Sequence, residues 1–277
     1  MPRYKIIIEY DGKKFSGWQS QKGLKTIQEA IENSLFKFSS KKISIYGAGR
    51  TDTGVHAIGQ VAHFDLNLSS LEDKNKKLGK LTMGINYYLS REFKNQISIL
   101  STTKVKKSFH ARFSAKYRKY QYTILNKRVP SPLYRNNAWR IPLPLDIKLM
   151  RKASKLLIGK HNFSAFRSSE CQSKSPIKTI DEIKINKNAE LIQITVQAKS
   201  FLMNQVRIIT GTLVEIGLKR KSDKDILLAL KEFDKKHTGP TAPPHGLILE
   251  EMKRVMKYKP GSTQFVSKNV VKGENIR

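Results

Sequence analysis

The 277-residue chain is predicted to adopt an α+β fold built on a mainly antiparallel sheet. Three observations predict it. Short β-branched runs with partial alternation recur along the chain, as strands require. Between them lie stretches with helical apolar spacing and recognisable caps. The elements also follow a repeated order, β-α-β-β-α-β in the first third and β-α-β-β-α-α-β afterwards, with strands adjacent in sequence and helices between them. The recurrence suggests two related halves, here placed at residues 1–107 and 108–277, although the two stretches show too little self-similarity to establish a duplication. A 39% hydrophobic and 9% aromatic composition suits folded cores, with length for one large or two ordinary domains.

Tyr4–Tyr10 is β-branched and partly alternating, and Asp11-Gly12 supplies a turn. Thr26 with Glu29 three residues on has the form of a capping box, opening a helix whose stripe is Ile27, Ala30, Ile31 and Leu35. Two strands, at Ile43–Tyr46 and Gln60–Phe64, flank a polar, glycine-bearing stretch. The Lys-rich segment Leu71–Lys80 leads into a second helix carrying Leu78, Leu81 and Ile85, and Ile97–Val105 forms a further strand. Lys116–Leu125 is the next strand. The proline-rich run Arg128–Pro144 reads as a loop or edge connection. Asp146 caps a helix carrying Ile147, Met150, Ala153 and Leu157, stopped by Gly159. Glu182–Ala198 is a hairpin turning at Asn186–Asn188. Asn204–Leu218 and Ser222–Phe233 are helices, Leu247–Met252 a closing strand, and the basic tail from about Lys257 is expected to be poorly ordered.

Charge narrows the class of partner. Lys and Arg number 53 against 22 acidic residues, a formal net charge of +31 that attracts polyanions, nucleic acid first. Lysines make up 39 of the 53, so compositional drift contributes to that excess. The single cysteine, Cys171, excludes an internal disulfide and a Cys-based zinc site, and the six histidines show no metal-ligand spacing. No signal-peptide pattern or membrane-length apolar run occurs, so a soluble, cytoplasmic protein of a reducing compartment is expected.

The chemistry concentrates in Gly49-Arg50-Thr51-Asp52-Thr53-Gly54-Val55-His56. Asp52 has two readings. Its carboxylate bonds its own backbone toward Gly54 as an Asx turn, or it is a working group presented at a strand-to-loop junction. Across one strand residue, positions 50 and 52 are expected to point to the same face, so the Arg50 guanidinium lies near the carboxylate and favours its ionised form, which suits a nucleophile or general base. A second signal is the aromatic-basic run Phe113-Ser-Ala-Lys-Tyr-Arg118-Lys-Tyr120-Gln-Tyr122. Arg118, Tyr120 and Tyr122 share one face, where rings and guanidinium suit unpaired bases and phosphates; a half-buried strand with solvated basic groups is the alternative. The third is Arg207, set among Val206, Ile208 and Ile209 on a helix. A buried arginine is costly without a carboxylate partner, and Asp52 is the natural one; snorkelling to solvent is the alternative. His56 and His63 read as structural. No phosphate-binding loop, dinucleotide fingerprint or Ser-His-Asp order occurs.

Taken in order, these segments resemble the tRNA pseudouridine synthase A family. The resemblance runs from Tyr4 to about Glu250. It is carried by Glu9-Tyr-Asp-Gly12 with Gly17-Trp-Gln19, by Gly49–His56, and by Phe109-His-Ala-Arg-Phe-Ser-Ala115. Phe163–Arg167, Val206-Arg207, and Thr241-Ala-Pro with Gly246-Leu247 continue it. Thr53 and Gln205 stand where the family more often has Ala and Met. The resemblance implies two α+β halves forming a central sheet with the acid in the cleft between them, and a homodimer. It implies isomerisation of uridine to pseudouridine at positions 38–40 of the tRNA anticodon arm, without cofactor or metal. It also implies site roles: Asp52 as the catalytic carboxylate, Tyr120 as the ring against the target uracil, Arg207 as the ion-pair partner of Asp52, and Arg50 as a group that helps extrude and replace the flipped nucleotide.

Overall fold

The tertiary structure, a computed structural model, describes residues 1–67 and 74–251. The N-terminal half runs β1 (Arg3–Tyr10), α1 (Ile27–Ser39), β2 (Tyr46–Gly47), β3 (His56–Asp65), α2 (Lys74–Phe93) and β4 (Ile97–Val105). The C-terminal half runs β5 (Arg118–Asn126), β6 (Trp139–Ile141), α3 (Ile147–Ser154), β7 (Gly159–Asn162), β8 (Ile177–Asn188), β9 (Leu191–Ala198), α4 (Gln205–Gly217), α5 (Asp223–Glu232) and β10 (Leu247–Glu251). One mixed, mostly antiparallel sheet contains all ten strands of the described residues, ordered β4-β1-β3-β10-β5-β9-β8-β7, with β2 on β3 and β6 on β5. The halves repeat a local order: β4-β1-β3 in the first corresponds to β10-β5-β9 in the second.

The join between the halves is made by the last strand. β10 pairs in parallel with β3 through Ile248–His56 and Leu249–Ala57, and antiparallel with β5 through Leu247–Tyr122, Ile248–Gln121 and Leu249–Tyr120. Residues directly opposite across a ladder point to one face. Tyr10, Ala57, Leu249, Tyr120 and Val196 therefore form a single row across the seam, all buried.

Local signals account for most elements. Thr26 Oγ1 accepts from Glu29 N at the start of α1, and Ile27, Ala30, Ile31 and Leu35 are its buried face. Asp146 accepts from Leu149 N at the start of α3. β1 buries Tyr4, Ile6, Ile8 and Tyr10 and leaves its other face more open.

Several boundaries differ from the sequence prediction, each for a physical reason. The strand expected at Ile43–Tyr46 shrinks to Tyr46–Gly47, because Ile45 N donates to the Glu32 carboxylate of α1 at 2.9 Å instead of to a neighbouring strand. The hairpin turns at Ala189–Glu190, not at Asn186–Asn188. Its register pairs Ile183 with Val196 and Ile185 with Ile194, so the apolar side chains share the buried face, and β8 then runs on to Asn188. The Arg128–Pro144 segment contains β6, parallel to β5. α3 ends at Ser154 and passes through a 3₁₀ turn at Lys155–Leu157, and Gly159, with φ +106°, opens the edge strand β7. The first part of the Lys-rich segment and the tail expected to be poorly ordered lie outside the described residues.

Two close contacts require glycine. A Cβ at Gly47 would fall 2.5 Å from Trp18 Nε1, and one at Gly211, inside α4, would fall 1.7 Å from the Pro240 carbonyl oxygen. The second contact lets the 239–242 segment lie directly on α4. Gly211→Ala is therefore expected to destabilise the protein by on the order of 1–3 kcal/mol, as overpacking does. Urea unfolding checks this; an unchanged midpoint would mean that the segment yields freely.

Candidate active site

Asp52 sits in the loop between β2 and β3, and its neighbours hold that loop from several sides. Gln60, fully buried on β3, donates to Gly49 O at 2.8 Å, and Ala48 N donates to Val61 O at 2.7 Å. The Tyr10 hydroxyl, at the end of the seam row, lies 2.8 Å from Thr51 Oγ1. Trp18 N donates to Thr51 O at 3.1 Å, and Gly54 N to Phe15 O at 3.3 Å. The turn that follows is closed by backbone, Val55 N to Asp52 O at 3.2 Å. Gly54 N is thus engaged elsewhere and the Asx turn does not form, which leaves the Asp52 carboxylate to face the cleft.

Across the cleft stands Arg207, on the first turns of α4. Its Nη1 lies 3.8 Å from Asp52 Oδ2. Two further bonds hold the guanidinium: Nε donates to Ala242 O at 2.7 Å, and Nη1 donates to Asn204 Oδ1 at 2.9 Å. Ala242 N returns a bond to Arg207 O at 3.2 Å, so the Thr241-Ala-Pro segment and α4 grip each other at this residue. Asn204 adopts the left-handed backbone region, φ +60°, to cap α4 while presenting its side chain. Arg207 does not snorkel away; it is aimed at the carboxylate.

Burial and charge act on this pair in opposite directions. Burial raises the Asp52 carboxyl above the ordinary aspartate range, and Arg207 partly opposes the rise. Burial likewise lowers the Arg207 guanidinium, with Asp52 and then Tyr122 opposing. The net direction at Asp52 is opposite to the one expected from pairing alone, because desolvation of a carboxylate outweighs one guanidinium at this separation. The Asp52 side chain keeps 27% of its surface open, enough for an incoming group to reach it.

Tyr120 and Tyr122 line the C-terminal side. Both are buried, Tyr122 fully and Tyr120 with 8% of its surface left open. The Tyr120 hydroxyl is pushed up first by burial and then by the Asp52 charge, which places it in the field of that carboxylate. Its ring meets Phe201 edge-on at 5.4 Å. Tyr122 lies deeper, donating to Pro243 O at 2.7 Å. Arg118 is a structural tie: it donates to the carbonyls of Ala48, Lys199 and Arg112, linking the Asp52 loop to both flanks of β5.

Three of the four expected residues, Asp52, Tyr120 and Arg207, thus come together. Arg50 does not join them. Residues 50–52 have no strand geometry, Arg50 is exposed, and among the described residues no ion pair links it to Asp52. The two-residue periodicity invoked for that pairing applies only to extended chain. His56 and His63 are internal struts: His56 Nδ1 accepts from Gly12 N and His63 Nδ1 from Ala111 N, each at 3.2 Å. Sequence reasoning missed Asn204 and the Ala242 carbonyl as supports of Arg207. The glycine inside α4 was the available signal for the second, since it marks a close backbone approach.

A ten-stranded α+β sheet among the described residues, with one half-buried acid facing an anchored guanidinium at the seam, is consistent with a pseudouridine synthase. Comparison with known proteins agrees. A family model described as tRNA pseudouridine synthase matches residues 6–114 and 153–253. A tRNA pseudouridine synthase A of Wolbachia pipientis subsp. Culex pipiens is 48% identical over 248 residues, covering 89% of this chain and 98% of the relative. Its counterpart in Ehrlichia chaffeensis is 49% identical, covering 88% and 97%, and that of Maricaulis maris is 42% identical, covering 90% and 96%. The chain belongs to the tRNA pseudouridine synthase family, a family of isomerases.

The electrostatics make a prediction with a defined sign. The Asp52 carboxyl titrates above the ordinary aspartate value, and removing the guanidinium that opposes its burial raises it further. In a ¹³C-detected titration, Arg207→Gln is expected to move the Asp52 midpoint to higher pH, and Asn204→Ala to move it the same way by less. A midpoint that stays or falls in Arg207→Gln would break the assigned coupling.

Proposed function

We propose that this protein isomerises uridine to pseudouridine at positions 38–40 of the tRNA anticodon arm, with Asp52 as the catalytic carboxylate. The observation that carries the proposal is the half-buried Asp52–Arg207 pair above the seam of the sheet, with Tyr120 beside it. The product is an isomer of the substrate: the C1′–N1 bond breaks, the uracil turns, a C1′–C5 bond forms, and the proton lost from C5 is balanced by one gained at N1. No external oxidant, reductant or energy source enters. An aspartate suits the first step as nucleophile toward C1′ or the uracil ring, or as base toward a sugar proton, and each route starts from its ionised form. Partial burial leaves that anion poorly solvated and hence more reactive, and Arg207 keeps it oriented.

The remaining parts take roles around this centre. Tyr120 packs against the target uracil. The target base must leave its stack to reach Asp52, at a cost of about a few kcal/mol, which phosphate contacts to a basic surface offset. Arg50, exposed two residues from the acid, helps extrude the nucleotide and fill its position. Residues 1–107 carry the acid, and residues 108–277 supply Tyr120 and Arg207. The active form is a homodimer in the cytoplasm.

Asp52→Ala is expected to keep tRNA binding and to form no pseudouridine in the anticodon arm, assayed by chemical mapping of modified transcripts. Near-parental modification by that variant would remove Asp52 from the mechanism. Binding by the unaltered protein should fall steeply with salt, about a thousandfold between 50 and 200 mM if roughly six phosphates are engaged. A flat salt response in a filter-binding titration would return the +31 charge to composition alone.

A further inference from the structure

The segment Phe109–Ala115 is used by neither the core nor the catalytic pair in full. Phe109 and Ala111 are buried, but Phe113 leaves 77% of its surface exposed. It is not isolated. The His110 ring lies 4.4 Å from the Phe113 ring, inclined by 37°, and 4.7 Å from the His63 ring. His63 in turn stacks on Tyr46 at 5.2 Å and 27°, and Tyr46 is 54% exposed. Four rings therefore run together, with open faces at both ends.

The fringe of this surface is cationic. The Arg112 guanidinium stands 5.8 Å from the Phe113 ring centroid, and Lys42 and Lys116 are exposed nearby in sequence to the rings. A cavity of about 200 Å³ adjoins Tyr46, lined by Arg3, Lys42, Ser44, His63 and Asp65 among others. The one carboxylate there is already engaged by Arg3, at 2.8 and 2.9 Å, so it does not cancel the positive fringe. Burial holds His63 at about 4 and lowers His110, which keeps both rings neutral at neutral pH.

A single exposed phenylalanine needs no explanation, but joined aromatic faces beside fixed cations match the chemistry of an unpaired base and its phosphate. The location agrees. Arg118 binds the carbonyls of both Ala48 and Arg112, so the ring surface is tied to the loop that carries Arg50 and Asp52.

We propose that the Tyr46–His110–Phe113 surface is a second nucleotide site, a stacking platform for an unpaired base of the RNA outside the pocket that receives the target uridine. The proposal rests on the assignment of tRNA as substrate. It makes the ring surface part of how the enzyme grips a loop, not of its bond chemistry.

The test uses the full chain and an unmodified tRNA transcript at fixed salt. Phe113→Ala is expected to raise Kd by roughly five- to a hundredfold, the range of losing one base–aromatic stack, and Phe113→Trp to retain affinity. Because Phe113 is exposed, both variants are expected to fold. In a second measurement, the Asp52→Ala protein is irradiated with a 5-iodouridine-substituted transcript, and the adduct is expected at Tyr46, His110 or Phe113. Parental affinity in Phe113→Ala with adducts elsewhere would overturn the platform. So would a change in sedimentation without a change in affinity, which would assign the rings to contact between copies. If the unaltered protein forms no pseudouridine in any tRNA, the proposed function fails; if it forms pseudouridine and Phe113→Ala binds normally, only the platform does.

Discussion

Two half-sheets meet in this molecule where β10, the last of the described strands, enters between them. Without β10, β3 and β5 would each expose a row of unpaired backbone groups, and edges of that kind are costly when buried and adhesive when exposed. The strand satisfies both at once, with its antiparallel ladder on β5 and a short parallel contact on β3. The consequence is functional. Asp52 belongs to the first half, Tyr120 and Arg207 to the second, and the shared strand, with the Arg118 tie to Ala48 O, brings position 52 opposite position 207.

The seam also explains the character of the site. Its floor is the row Tyr10, Ala57, Leu249, Tyr120 and Val196, apolar apart from two hydroxyls. An acid set above such a floor loses hydration, and burial prevails over the single guanidinium in setting the direction of its titration. That guanidinium is held from behind by a carbonyl and an amide side chain, so it faces Asp52 without needing the pair itself to fix its position. The Asp52 loop is likewise held by bonds to its backbone and to Thr51, which leaves the carboxylate free of structural duty. A preorganised anion with one open side is what a reaction beginning at a carboxylate requires.

Around this centre the basic surface is divided by task. Arg118 is spent on carbonyls and stiffens the boundary between loop and β5, and Arg3 is spent on Asp65. Arg50, Arg112, Lys42 and Lys116 are exposed. The aromatic-basic run after Phe113 is divided too: Tyr120 and Tyr122 turn inward beneath the site, and Phe113 turns outward. The exposed turn at Phe113 and the buried strand β5 thus share one run, which is why it supported two readings before the fold was known.

Elements governed by neighbours in sequence were legible from the chain alone. The caps at Thr26 and Asp146, the stripe of α1, the alternation of β1 and the extent of β4 depend on residues a few positions apart, and propensity and periodicity record them. The ordered motifs identified the family and named Asp52, Tyr120 and Arg207. Features set by distant partners were not legible. Glu32 removes Ile45 from a strand, the pairing of Ile183 and Ile185 with β9 moves a turn, and the absence of extended backbone at 50–52 sends Arg50 away from Asp52. The sequence by itself determined the family and most of the order of the elements, because ordered motifs and local spacing encode them. Only the tertiary structure decided which charge faces Asp52, what holds that charge, and which rings stay open, because desolvation and cross-sheet contact arise only once strands from both halves share one sheet.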